Sequence, residues 1–298
     1  MNQAIPCPFD RRSQDVGNLV EFGHVNVRVP DQQQATLFYV SGLGLTRDPF
    51  IHTGIDNMWI NVGRCQFHLP TGAPQVLRGR VHLVLPDLPA LLSRLSTVAP
   101  RLAGTGFGFE AHREHVDVRC PWGNRLRIHP PQTAFAASLE LGMPCVEIDV
   151  APGRAEPIAR FYREMLASPG RVGRDADGVF ADVPVGIGER LRFRETGREL
   201  PAYDGHHLQV SVADFSGVHR RLLERGLVTM ETDESEYRFQ DIVDLDSGAV
   251  LATIEHEVRS MRHPMFGRRL VNRDPSISNR AWAEGHESLR WTLPPGAR

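Results

Sequence analysis

From His24 to Val29 the chain alternates between polar and β-branched apolar residues, the two-residue period of a strand with one face buried. Asp31 follows Pro30 as an N-cap, and Ala35, Leu37, Phe38 and Leu43 then form a helical stripe. Trp59-Ile-Asn-Val and Cys65 to Leu69 read as further strands. The pattern restarts at Val81-His-Leu-Val-Leu, with Asp87 ahead of an amphipathic helix carrying Leu88, Leu91, Leu92 and Leu95. Strands at Val116 to Cys120 and Leu126 to His129 flank the turn Pro121-Trp-Gly-Asn. The second half runs the same way. Cys145 to Val150 precedes a helix near Glu156 to Leu166, then strands at Val179 to Val183 and Arg190 to Phe193. His206-His-Leu-Gln-Val-Ser-Val opens the last unit, Asp214 precedes a helix with Val218, Leu222 and Leu223, and Gly226 ends it. Strands at Arg238 to Val243 and Val250 to Ile254 surround Asp244-Leu-Asp-Ser-Gly. The expected class is α+β, built from four tandem β-α-β-β-β modules.

The halves repeat each other. Laying Phe38-Tyr39 on Phe161-Tyr162 shifts the chain by 123 residues and carries His24 to Glu147, Val62-Gly63 to Val185-Gly186, and Gln66 to Glu189. The expected organisation is an N-terminal arm (1–18), a first domain (19–131), a linker (132–142), a second domain (143–258) and a C-terminal arm (259–298). That last arm, rich in Arg, Pro and Asn, is expected to wrap the body or a partner subunit, the latter making a homodimer.

Composition narrows the chemistry. The 34 basic residues are all arginine, so a Schiff-base lysine and a P-loop lysine are both excluded. Cys7, Cys65, Cys120 and Cys145 are scattered without a CxxC, as in a reduced, cytoplasmic protein. A net charge of −2 gives no reason to expect nucleic acid or an anionic membrane as partner. No stretch reaches the roughly 20 apolar residues of a membrane span, and Met1 to Val16 lacks the apolar core of a secretory signal. The expected partner is a small-molecule substrate.

The segments FGHVNVRVPD, INVGRCQFHLP, CPWGNRLRIH, HHLQVSVADF and DLDSGAVLATIEHE, in four tandem modules over about residues 20 to 257, resemble the vicinal oxygen chelate superfamily. That group includes glyoxalase I, bleomycin-binding proteins and extradiol dioxygenases. The resemblance implies that modules pair into cupped mixed sheets, with metal ligands on the first and last strands of each module. Carried over, the C-terminal pair offers Glu147, Glu189, His207 and Glu255, with Glu189 and Glu255 as catalytic carboxylates. The N-terminal pair offers His24, Gln66 (or His68 on the same strand face), His82 and, less directly, His129.

Such a set suits a divalent ion (Fe, Mn, Zn or Ni) that polarises a substrate with two adjacent oxygens. Glu147 and Glu189 would bring buried negative charges together, which a metal or the arginines Arg190, Arg192 and Arg194 must neutralise. Counted from Gly248, the family acid falls on the strand face of Ala252 and Ile254, so Glu255 is one residue out of phase unless a β-bulge intervenes; His256 and Glu257 are the other choices. The extradiol pattern of two histidines, a glutamate and a tyrosine is departed from at Glu147 and at Ile242, and Tyr237 lies early in its strand. The resemblance therefore implies a metal-dependent glyoxalase-like lyase or isomerase, or a ring-cleaving dioxygenase. The alternative is a metal-free small-molecule-binding protein of the bleomycin-resistance type, in which Trp59, Phe67 and Trp122 would matter most.

Overall fold

The computed structural model describes residues 9–51, 54–133 and 139–273. Parts of the two predicted arms and of the linker, together with Cys7, lie outside these residues. The first module comprises β1 (Leu19–Asn26), α1 (Gln32–Ala35, continued as a π-helical segment Thr36–Gly42), β2 (Thr46–Arg47), β3 (Asn57–Val62) and β4 (Cys65–Pro70). The second comprises β5 (Gly79–Val84), α2 (Leu88–Val98), β6 (Gly108–Ala111), β7 (Val116–Arg119) and β8 (Arg125–His129). The third has β9 (Gly142–Val150), α3 (Ala155–Met165), β10 (Arg171–Asp175), β11 (Gly178–Pro184) and β12 (Arg190–Glu195). The fourth has β13 (His207–Val212), α4 (Phe215–Glu224), β14 (Val228–Asp233), β15 (Glu236–Val243) and β16 (Val250–Ser260).

Three helices start where an aspartate can satisfy free backbone amides. Asp31 accepts from the Gln33 and Gln34 amides, Asp87 from Ala90 and Asp214 from Gly217. Helix α3 lacks a side-chain cap of its own, and Glu195 from β12 accepts from the Ala155 amide instead.

The sheets do not follow the two sequence halves. One eight-stranded sheet runs β14-β15-β16-β13-β1-β4-β3-β2 and joins the first module to the fourth; the other runs β10-β11-β12-β9-β5-β8-β7-β6 and joins the second to the third. In the first sheet β1 pairs antiparallel with β13, Asn26 opposite His207; in the second β5 pairs antiparallel with β9, Arg80 opposite Glu147. Each sheet is mixed because the first and last strands of every module run parallel.

Helices and sheet faces share one continuous apolar core. Phe38 and Tyr39 pack in it from the first module, and Phe161 and Tyr162 from the third. Tyr162 reaches across from α3 to β16, its hydroxyl 2.6 Å from His256 Nε2, while His256 Nδ1 lies 2.8 Å from the Ile254 carbonyl. With both residues fully buried, Tyr162→Phe strands a ring nitrogen and is expected to cost about 1–3 kcal/mol in urea unfolding.

The repeat is imperfect at one place that matters for the site. Val62 and Cys65 are paired across a two-residue turn, in which Gly63 has φ +66° and sits so close to the Leu141 carbonyl that a Cβ would meet it. In the third module Pro184 pairs with Arg190, leaving Val185 to Glu189 between the strands. The extra residues change the register. His24 stands beside Gln66, but Glu147 stands beside Arg192 and not Glu189.

Candidate metal centre

Sheet register places a row of polar side chains on the inner face of the first sheet. Asn26 is flanked by His68 on β4 and His207 on β13, and His207 by Glu255 on β16; the next row holds Gln66, His24, Gln209 and Glu257. The period-two alternation of each strand sets all eight on one face.

Donor atoms of His24, His68 and His207 all lie within 4.8 Å of one another. The Nε2 atom of each is buried and makes no hydrogen bond. Imidazoles gathered this closely, with buried nitrogens that lack a well-formed hydrogen bond, are costly unless something binds there. Burial drives the His24 pKa well below its ordinary value and lowers that of His68 to about 3, so these two are neutral and keep a lone pair for a ligand bond. The residues therefore fit a divalent first-row ion, which imidazole donors suit.

Neighbours fix the rings. Asn26 Nδ2 lies 2.6 Å from His68 Nδ1, and the Trp59 ring stacks on His68 at 3.9 Å. His207 Nδ1 is 3.5 Å from Glu255 Oε1, and Arg238 holds that same oxygen at 2.7 Å. On the other side, His207 Nε2 is 3.5 Å from Glu257 Oε2. Arg238 and Arg259 grip Glu257 at 2.7 and 2.6 Å. Burial alone would raise the Glu257 pKa; contact with His207 and the charge of Arg259 overcome it and hold the carboxyl well below its usual range.

Residues 261–273 cross the mouth of this cup. The Gly267 amide donates to Glu21, Arg268 pairs with the buried Asp48, Asn61 donates to the Val271 carbonyl, and the Asn272 side chain bonds both the amide and the carbonyl of Gly63. What remains is a cavity of about 20 Å³ lined by His24, Gln66, Gln209, Arg259, Met265 and Arg268, among others. Of the predicted arm, the described residues 261–273 lie against the body of the fold, and residues 274–298 lie outside the described residues.

The predicted C-terminal quartet is not one cluster. His207 and Glu255 face each other in the first sheet, whereas Glu147 belongs to the second, where Arg80 and Arg194 approach it at 3.4 and 3.3 Å. Arginine, the other neutraliser considered for this glutamate, is what surrounds it. Glu189 precedes β12 and accepts from the Cys65 thiol at 3.2 Å, buried between the first and third modules. Burial lifts its carboxyl to about 7 against the opposing pull of Cys65 and Arg64.

Of the N-terminal set, His24 and Gln66 share the cup, but the Gln66 amide donates to Asp48 and Asn61, and His68 supplies the converging donor from β4. His82 lies in the second sheet, 3.0 Å from His129. The bulge required for the last strand is present: the β15–β16 register shifts between Phe239 and Asp241 and again between Ile242 and Val243. Glu255 and Glu257 consequently face the cup, and His256 faces α3. Glu257, one of the alternatives offered for the last strand, shares this face with Glu255, as the two-residue period of β16 requires. Trp59, Phe67 and Trp122 do not gather in one pocket. Trp59 lies in the cup, Phe67 packs on Tyr39 in the core, and Trp122 packs on that core from the β7–β8 turn.

No protein-family model matches the sequence, and no curated protein matches it. Solved structures do. Glyoxalase I from Zea mays is 12% identical and aligns over 80% of this chain and 92% of its own, with a TM-score of 0.56. A putative dioxygenase from Bacillus subtilis subsp. subtilis str. 168 is 14% identical over 82% and 85%, with a TM-score of 0.51. Among the described residues no helix is long and apolar enough to cross a membrane. Four β-α-β-β-β modules in two mixed sheets, aligning with both neighbours over most of the chain, give this protein the fold of that glyoxalase I and that putative dioxygenase.

Proposed function

We propose that the chain is a divalent-metal-dependent enzyme of the vicinal oxygen chelate type, its metal held by His24, His68 and His207 with Glu257 beside them. The observation that carries this reading is the clustering of three imidazoles, one donor atom of each within 4.8 Å of the others, whose buried Nε2 atoms lack a well-formed hydrogen bond. A divalent ion there would act as a Lewis acid on a small substrate offering two adjacent oxygens. The glyoxalase and dioxygenase neighbours support that substrate class.

The chain's own residues have separable tasks. Glu255 and Asn26 orient His207 and His68 through their Nδ1 atoms, as partners of metal-binding histidines do. Glu257, kept ionised by contact with His207 and by Arg259, offsets the charge of a dication and is a poor proton acceptor near neutrality. Met265, Arg268 and Leu270 of the segment 261–273 narrow the space beside His24 to a cavity of about 20 Å³, room for roughly one water.

The test is metal analysis together with turnover. His24→Ala should remove one equivalent of metal per chain. Protein reconstituted with Fe(II), Ni(II), Mn(II) or Zn(II) should turn over either catechols or thiol adducts of 2-oxoaldehydes, reversibly blocked by a chelator. Unchanged metal content in His24→Ala, together with no metal-dependent turnover of either class, would overturn the proposal.

A further inference from the structure

The edge hairpin of the second sheet carries donors that the cup does not use. Strands β6 and β7 pair with Glu110 opposite Asp117 and Ala111 opposite Val116, and the His112 amide donates to the His115 carbonyl at 2.9 Å. Only Arg113 and Glu114 are left to make the turn. Alternation along both strands therefore sets Glu110, His112, His115 and Asp117 on a single face. The sequence E-x-H-x-x-H-x-D is a carboxylate–imidazole pair mirrored about a two-residue turn.

The distances are those of coordination. Asp117 Oδ2 lies 3.5 Å from Nε2 of both His112 and His115, and His112 Nε2 lies 3.9 Å from Glu110 Oε2. Neighbouring ligands of a tetrahedral zinc ion, each at about 2.0–2.1 Å, stand roughly 3.4 Å apart. Good hydrogen bonds would be shorter. Donor atoms of His112, His115 and Asp117 all fall within 4.8 Å of one another, and the two imidazoles stack at 4.6 Å.

The surroundings prepare the ligands. His115 Nε2 is buried and faces Asp117 Oδ2 at 3.5 Å without a well-formed hydrogen bond. Arg127 holds both oxygens of Asp117, at 2.7 and 2.9 Å, which fixes the carboxylate plane. An ionised carboxylate has about four lone-pair sites, so the arginine leaves acceptor capacity unused.

We propose that the β6–β7 hairpin is a second divalent-metal site, of the zinc type, formed by His112, His115 and Asp117, with Glu110 able to complete the set. Two imidazoles and carboxylate oxygen select zinc, copper(II) or nickel(II) over calcium or magnesium. All four ligands come from one hairpin, so the ion would clamp an edge strand, β6, whose far side has no neighbouring strand among the described residues.

The test keeps the two sites apart. Full-length His24→Ala/His207→Ala protein, stripped with a chelator and titrated with zinc, should still bind one equivalent and gain thermal stability from it. Adding His112→Ala and His115→Ala should weaken that binding by at least about 100-fold, whereas Arg113→Ala in the turn should leave it intact. Failure of the cup-deficient protein to bind zinc, or equal binding after both hairpin histidines are removed, overturns the proposal. The converse protein, with the cup intact and the hairpin histidines replaced, reports on the cup alone, so failure at one site is not read as failure at the other.

Discussion

His207→Ala should release the metal of the cup, and Glu147→Ala should leave it bound. The contrast separates two ways of assembling the same residues. If the sequence halves were the cups, both substitutions would remove a ligand. Sheet pairing puts His207 beside His24 and His68, and puts Glu147 in the other sheet, between Arg80 and Arg194. Loss of groups that merely orient a metal ligand costs 10- to 100-fold in affinity, so removing a ligand should cost at least about 100-fold. Glu147→Ala carries a different penalty, since it deprives two arginines of a carboxylate. Arg194 retains Asp175, at 2.5 and 2.8 Å, so the loss is shared. Metal per folded protein, measured by elemental analysis after gel filtration, decides the matter: equal loss in both variants would return Glu147 to the site.

The second large effect is a fall in stability with rising pH, centred on Glu189. Its folded-state pKa is raised to about 7 from an ordinary 4.5, so the folded protein holds a proton that the unfolded chain has released. Between these values the native state binds more protons, and the free energy of unfolding must decrease as pH rises. The contribution is fully present below about pH 4.5 and lost above about pH 7. Its size, at 1.36 kcal/mol per pH unit, is about 3 kcal/mol. Glutamine mimics the protonated acid and still accepts from the Cys65 thiol. Glu189→Gln should therefore match the wild type near pH 5 and exceed it by up to about 3 kcal/mol near pH 8 in urea titrations. A difference that does not change with pH would mean that Glu189 ionises normally.

Much of the fold is legible because three of its signals are local. Alternation marks the buried strands, aspartates mark helix starts at 31, 87 and 214, and the recurring Phe-Tyr pair marks the repeat. The edge strands β10 and β14 were harder to see. Arg171 to Asp175 and Val228 to Asp233 are largely exposed, so no apolar period distinguishes them. Module pairing was not legible at all. Each module presents an equivalent strand edge, and no local pattern says which two edges meet. That single non-local choice redirected the site, moving His24 next to His207 and Glu147 away from it. The register slip at Val185 to Glu189 did the rest, because a gapless repeat sets Glu189 on Gln66 whereas the longer connection sets Arg192 beside Glu147.

The pairing of the outer modules also has a consequence in time. All eight strands of the second sheet lie in one unbroken stretch, Gly79 to Glu195, so each can find its neighbours soon after translation. Strand β1 emerges first of all, yet its partner β13 is among the last to be made. Contacts this distant in sequence close slowly, and an N-terminal strand waiting for them exposes an unpaired edge. The face that carries the histidines can form only once His207 and Glu257 have followed His24 out of the ribosome, so metal uptake there would report that synthesis has passed Glu257.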